Sequence, residues 1–165
     1  MTCEDFLNSY REMLSDLSEL EQKVRVAETR AAKMSARYDA DPRGGSFGRG
    51  VEDAMVAAAE LRDQLKAERR KAETRKSDIA AFISHIGNGG AADRRMRKLL
   101  TLYYCDLFTW DEVRLCLPGV YRRGDGRVVN RKGSLGISQT SLYRERLSAL
   151  GKAEVQFRRE HISRE

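Results

Sequence analysis

Residues 138–151 carry Gln139, Thr140, Ser141, Arg144 and Arg146, an amide, two hydroxyls and two guanidinium groups strung along one helical stretch. A carboxamide or a guanidinium can make paired hydrogen bonds to the edge of a flat heterocycle, and hydroxyls at a helix start can hold a phosphate beside the outward-pointing N–H groups. On B-form DNA such a helix fits the major groove, where Gln pairs with adenine and Arg with guanine, each worth ~1–3 kcal/mol of discrimination. A second set has the same bias. Arg122, Arg123, Arg127, Arg131 and Lys132 surround the single carboxylate of Asp125, a composition suited to a phosphate backbone or a minor groove. The competing readings are an exposed helix face that packs on another part of the chain, and a solvated loop that is basic only for solubility.

Two helices must position the first set. Thr109-Trp110-Asp111-Glu112 reads as a capping box, so a helix should start at Trp110, present Val113 and Cys116 or Leu117 to a core, and stop before Pro118. Phe108 can staple against Val113 across that cap. The second helix starts after Ser138, a good N-cap, and is expected to end at Gly151. Its buried face is expected at Leu142, Tyr143, Leu147 and Leu150, with Tyr143 counted also among the candidate DNA contacts beside Ser138. Between the helices, residues 118–136 form an insertion in which two β-favouring runs flank Gly124-Asp125-Gly126, the signature of a hairpin. Ahead of them Asp93 should cap a helix carrying Met96, Leu99, Leu100, Tyr103 and Tyr104 inward and Arg94, Arg95, Arg97 and Lys98 outward. Trp110 is expected in a core or as a prop between domains.

The N-terminal half is ruled by periodicity. Phe6, Tyr10, Met13, Leu17, Leu20, Val24, Ala27, Ala31, Met34 and Tyr38 recur in alternating steps of four and three, the spacing of a coiled-coil seam. Residues 39–50, with a proline and four glycines, break the pattern. A second helix is predicted from near Val51 through Ala54, Ala58, Leu61 and Leu65, weakening at Glu68, Ala72 and Arg75 and recovering at Ile79, Phe82 and Ile86. Two helices of similar length joined by one loop fold back as an antiparallel hairpin. The small Ala positions of the second helix leave room for a further chain, so a homodimer through this half is expected, against a hairpin that packs only on itself. The glycines at 87, 89 and 90 mark a boundary at which the halves should reorient. The expected fold is therefore mainly α: a long antiparallel helical hairpin over 1–87, a Gly-rich linker at 88–92, and a helix-turn-helix domain over 93–165 with the basic β-hairpin insertion.

Charge follows the same division. Residues 1–87 hold 15 Lys+Arg and 16 Asp+Glu, whereas 88–165 hold 16 and 9, so all of the +6 excess lies in the C-terminal half. Double-stranded DNA is the expected partner of so asymmetric a basic domain, through release of condensed counterions. No apolar run approaches the ~20 residues needed to span a bilayer, and residues 1–5 lack the regions of a signal peptide, so a cytoplasmic protein is expected. Cys3, Cys105 and Cys116 form no C-x-x-C pair, and with only His85 and His161 they give no zinc pattern. Asp111, Glu112 and Asp125 are too far from other carboxylates for a two-metal nuclease. The glycine run at 44–50 is not followed by Lys-Ser/Thr, against a nucleotide-binding loop. No enzyme, metal or cofactor is expected.

Arg94 through Tyr104, then Leu107-Phe108-Thr109-Trp110-Asp111-Glu112-Val113, and Ile137-Ser138-Gln139-Thr140-Ser141-Leu142-Tyr143 with Ala149-Leu150, resemble the helix-turn-helix of sigma-factor region four. The layout of the whole chain resembles the phage and prophage transcriptional activators of the RinA and ArpU type. That resemblance implies DNA binding through the helix after Ser138, regulation of phage genes in a bacterial host, and contact with RNA polymerase as a further expectation. Two departures stand out: the family's turn is short where 118–136 intervenes here, and Glu145 occupies a place such domains usually make apolar. A phage small terminase subunit, which joins a similar DNA-binding helix pair to oligomerising helices, and a coiled-coil protein adaptor are the alternative readings.

Overall fold

The computed structural model describes residues 1–40, 45–87, 89–122 and 128–162, and the chain is mainly helical. Two long helices come first, α1 (Cys3–Ala40) and α2 (Gly45–His85). Thr2 and Asp5 cap α1 reciprocally: the Asp5 N–H donates to the Thr2 hydroxyl at 3.1 Å and the Thr2 N–H to the Asp5 carboxylate at 2.8 Å. α2 begins at Gly45, ahead of the expected start near Val51. The glycines at 45, 48 and 50 therefore sit inside a helix, and a Cβ on Gly50 would only touch the end of the Met34 side chain, at 3.4 Å.

The described residues form two compact units, residues 12–74 and residues 1–11 with 75–165. In the first, α1 and α2 run antiparallel. Arg62 pairs with Glu28, and Arg69 with Glu21 at 2.7 Å, so the partners descend one helix as they climb the other. Leu17, Val24 and Ala31 of α1 and Val51, Ala58 and Ala72 of α2 are buried.

The second unit divides the chain where the sequence reading did not. Cys3 and Leu7 of α1 and Ile79, Phe82, Ile83 and Ile86 of α2 share one core with the C-terminal elements. These elements are α3 (Ala91–Leu100), a π-helical turn (Thr101–Cys105), α4 (Trp110–Cys116), the strands β1 (Pro118–Arg122) and β2 (Val128–Leu135), and α5 (Gln139–Ile162). Phe6, Phe82 and Phe157 interlock with ring centroids 5.5 to 6.0 Å apart. The expected boundary at 88–92 fails because large apolar side chains on both sides of it are buried together.

The glycine-rich stretch is pinned accordingly. The Arg97 guanidinium donates to the Ser84 carbonyl at 3.0 Å and reaches the Ile86 carbonyl at 3.5 Å, satisfying the end of α2. Gly87 has φ +80, and a Cβ there would lie 2.4 Å from Asp93 Cγ. Asp93 is buried and receives the Lys152 ammonium at 2.6 Å. The N-cap of α3 is Gly90, with Asp93 three residues inside the helix, not the expected cap. Arg95 and Arg97, expected outward, are likewise drawn into tertiary contacts, while Arg94 and Lys98 are exposed.

Candidate nucleic-acid interface

α4 begins as its residues dictate. The Thr109 hydroxyl accepts the Glu112 N–H at 3.3 Å, and the Glu112 carboxylate accepts the Thr109 N–H at 2.7 Å and its hydroxyl at 2.8 Å. These bonds hold the Glu112 carboxyl below its ordinary range. The helix ends at Cys116, with Val113 and Leu117 fully buried and Cys116 half-buried.

The insertion leaves and returns at one place. The Gly136 N–H donates to the Leu117 carbonyl at 2.9 Å, and the Ile137 N–H to the Arg114 carbonyl at 3.1 Å. The Arg114 guanidinium also reaches the Ile137 carbonyl at 3.4 Å. Pro118 stands opposite Leu135 in the antiparallel β1/β2 ladder. Gly136, at φ +93, makes the bend with a conformation that strains any residue bearing a Cβ. Leu117 and residues 136–138 alone thus bridge α4 and α5, the length of an ordinary helix-turn-helix connection. Long as it is, the insertion does not separate the two helices.

Ser138 caps α5 as expected, its hydroxyl accepting the Ser141 N–H at 3.2 Å. It also bonds the Ser141 hydroxyl at 3.0 Å, so both serine side chains are engaged at the cap, with Ser141 half-buried. Gln139, Thr140 and Arg144 are exposed. The buried stripe differs from the expected one: Leu142, Ala149, Ala153 and Phe157 are buried, while Tyr143 is 60% and Leu147 52% exposed. Continuation past Gly151 explains the shift. An internal glycine costs about 1 kcal/mol relative to alanine, whereas burying a Phe side chain such as that of Phe157 gives about 1.5–3 kcal/mol. The helix therefore runs on to Ile162 and rotates its apolar stripe to follow Ala153 and Phe157.

That rotation removes Arg146 from the outward set. Its guanidinium lies over Trp110, 4.5 Å from the ring centroid; Trp110 stacks on Tyr103 at 3.8 Å and 15°; and Arg11 covers Tyr103 at 4.7 Å. The Arg11 guanidinium also donates to the carbonyls of Tyr103 and Phe108. Four side chains, from α1, the π-turn, α4 and α5, form a cation–aromatic–aromatic–cation stack. Trp110 props α5 against the π-helical turn within one unit, not one domain against another. Glu145, the departure from the resembling pattern, is explained by Arg95, whose guanidinium meets its carboxylate with two bonds at 2.8 and 3.1 Å. The outward face of the N-terminal half of α5 is then Gln139, Thr140, Tyr143, Arg144, Leu147 and Ser148. Leu147 and Ser148 were missed by periodicity because the phase of the stripe depends on Phe157.

Arg122 stands on β1, and Arg131 and Lys132 on β2, where Tyr121 pairs with Val129 and Arg122 with Val128. Their side-chain surroundings, and Arg123 and Arg127 altogether, lie outside the described residues. Among the described residues, no group of three or more His, Cys, Asp or Glu side chains is placed to hold a metal ion, and no helix is long and apolar enough to cross a membrane. Comparison of the chain with family models, with curated proteins and with solved structures finds no match.

Proposed function

We propose that this chain is a sequence-specific double-stranded DNA-binding transcriptional regulator, similar in plan to phage and prophage activators of the RinA and ArpU type, working as a homodimer. The observation that carries this reading is the closed base of the insertion, Gly136 on Leu117 and Ile137 on Arg114. It restores the short turn of a helix-turn-helix and leaves the first half of α5 with an uncovered polar face. In this reading α5 enters the major groove, with Arg144 pairing with guanine, Gln139 with adenine, and Leu147 and the Tyr143 ring touching thymine methyl groups. Thr140 and the N–H groups at the start of α5 hold a phosphate. Arg146 fixes the helix through Trp110, and the cations of β1 and β2 track the adjacent backbone.

Selection of bound sites from a random duplex pool tests it. The native chain should enrich one short motif; Arg144→Ala should relax preference at one position and cost about 1–3 kcal/mol there. Arg122→Ala with Arg123→Ala should weaken all sequences alike and flatten the salt dependence of binding. Retention of no DNA at low salt would overturn the proposal and favour an adaptor. Enrichment of no motif by a ring of higher order would favour a terminase-like subunit.

A further inference from the structure

Every third or fourth residue on the outer side of α1 belongs to a second stripe, separate from the seam that meets α2: Glu12, Asp16, Glu19, Lys23, Val26, Arg30, Lys33 and Arg37. The steps alternate four and three, as in a coiled-coil face, and all eight residues are exposed. The charges are sorted, with three carboxylates in the first half and three cations at the end. Among the described residues none of these six has an ion-pair or side-chain hydrogen-bond partner, whereas Glu21 and Glu28, on the flank facing α2, pair with Arg69 and Arg62. Helix dipole does not account for the sorting. Its influence fades within the first and last turns, and Asp16, Glu19 and Arg30 lie well inside both ends of Cys3–Ala40.

The pattern is self-complementary under a twofold axis. Laid antiparallel on a second copy about a point between Val24 and Arg25, Glu12 faces Arg37, Asp16 faces Lys33, Glu19 faces Arg30, and Lys23 faces Val26. Each pair then occurs twice, the isologous arrangement of a C2 dimer. A parallel arrangement in register would set like charges together. The stripe also has depth to receive a helix. Val26 at its middle is 69% exposed. Beside it runs a cleft of about 950 Å³ whose far wall is the small side of α2, Gly50, Ala54 and Ala57.

We propose that this outer face of α1 is the subunit interface, and that its occupant is the same face of a second copy running in the opposite direction. The inference deepens the two-subunit part of the function proposed above and is independent of DNA recognition. Its test is therefore made without DNA, where its failure is distinguishable from a failure of α5 to select sites.

Two full-length variants decide it: Glu12→Lys, Asp16→Lys and Glu19→Lys together, and Arg30→Glu, Lys33→Glu and Arg37→Glu together. Sedimentation equilibrium should give a dimer for the native chain that weakens as salt rises. Each variant alone, helical by circular dichroism, should be a monomer, and an equimolar mixture should recover the dimer, because six carboxylates on one stripe then face six cations on the other. A native monomer across the micromolar range, either variant associating as the native chain does, or a mixture that stays monomeric would overturn the proposal. Misfolding of a variant cannot imitate the expected result, since two misfolded chains would not restore each other.

Discussion

In residues 12–74 the ion pairs between helices sit in water: the side chains of Arg62 and Glu28 are 59% and 37% exposed, and those of Arg69 and Glu21 are 58% and 38%. In the other unit the same chemistry is taken inside. Arg95 and Glu145 keep only 9% and 22% of their side-chain surface, and Lys152 meets an Asp93 carboxylate that is 12% exposed. Exposed pairs contribute about 0–1 kcal/mol and are weakened by salt, whereas removing one member of a buried pair costs up to about 3–5 kcal/mol. The hairpin is therefore held by its apolar seam, with charges that bias direction. The C-terminal unit uses charges to fix α5 from its inner side, which leaves the outer side of that helix uncommitted.

The largest test of this contrast concerns what belongs to the C-terminal unit. A chain of residues 93–165 lacks Cys3, Leu7, Ile79, Phe82, Ile83 and Ile86, all of which are buried in the shared core. It should show no cooperative unfolding transition and poor dispersion of its NMR spectrum. A well-folded fragment would restore the boundary at 88–92 that the glycines suggest.

Thiol labelling reads the same anchor in the intact chain. Burial, aided by Glu154 and Glu4, pushes the Cys3 thiol up to about 12, and burial raises Cys105 as well; Cys116 is only half-buried. Alkylation at neutral pH, followed by peptide mass spectrometry, should mark Cys116 first and leave Cys3 and Cys105 protected until global unfolding. Labelling of Cys3 at the rate of Cys116 would detach the first turn of α1 from the core.

Glu145→Ala and Glu28→Ala sharpen the comparison with one substitution in each unit. The first deprives Arg95 of a two-bonded partner in a nearly dry site and should cost about 2–4 kcal/mol, below the limit for full burial because Glu145 keeps some solvent. The second should cost about 0.2–1 kcal/mol and vanish at high salt. Denaturant midpoints measure both, and equal losses would mean that burial is not what separates the two units.

How much of this was readable in advance depends on the range of the interaction. The seam from Phe6 to Met34 and its partner from Val51 to Ile86 fall at buried or half-buried positions throughout, because a heptad pattern is local and each residue reports its own face. The Thr109 cap, the stop before Pro118 and the Ser138 cap were legible for the same reason. The inward turn of Arg95 was not, since it depends on Glu145, fifty residues away. Nor was the phase of α5: Gly151 is a local stop signal, and it is overridden by Phe157 meeting Phe6 and Phe82, rings that lie 151 and 75 residues away along the sequence. Local pattern therefore shows that Gln139, Thr140 and Arg144 are exposed, but not that Arg146 turns onto Trp110 and Leu147 outward.

Glu112 offers the finest cut, because it is an exposed carboxylate inside the unit that buries the Arg95–Glu145 pair. Its two bonds from Thr109 lower its folded-state pKa below the ordinary value of 4.5. A depressed carboxylate contributes stability above its unfolded pKa and loses it as pH falls through the folded one. The stability difference between the native chain and Glu112→Gln should therefore be present at neutral pH and close once the solution is acidified below the ordinary Glu range. The same pair of proteins at high salt separates two causes. A capping carboxylate acts through short hydrogen bonds and should keep most of its effect, whereas the Glu28 pair acts through screened attraction across open water. If both respond to salt alike, the cap is only another surface charge, and burial alone sorts the ionic contacts of this chain. If Glu112 persists where Glu28 fades, hydrogen-bond geometry is a second and independent way for an exposed charge to count.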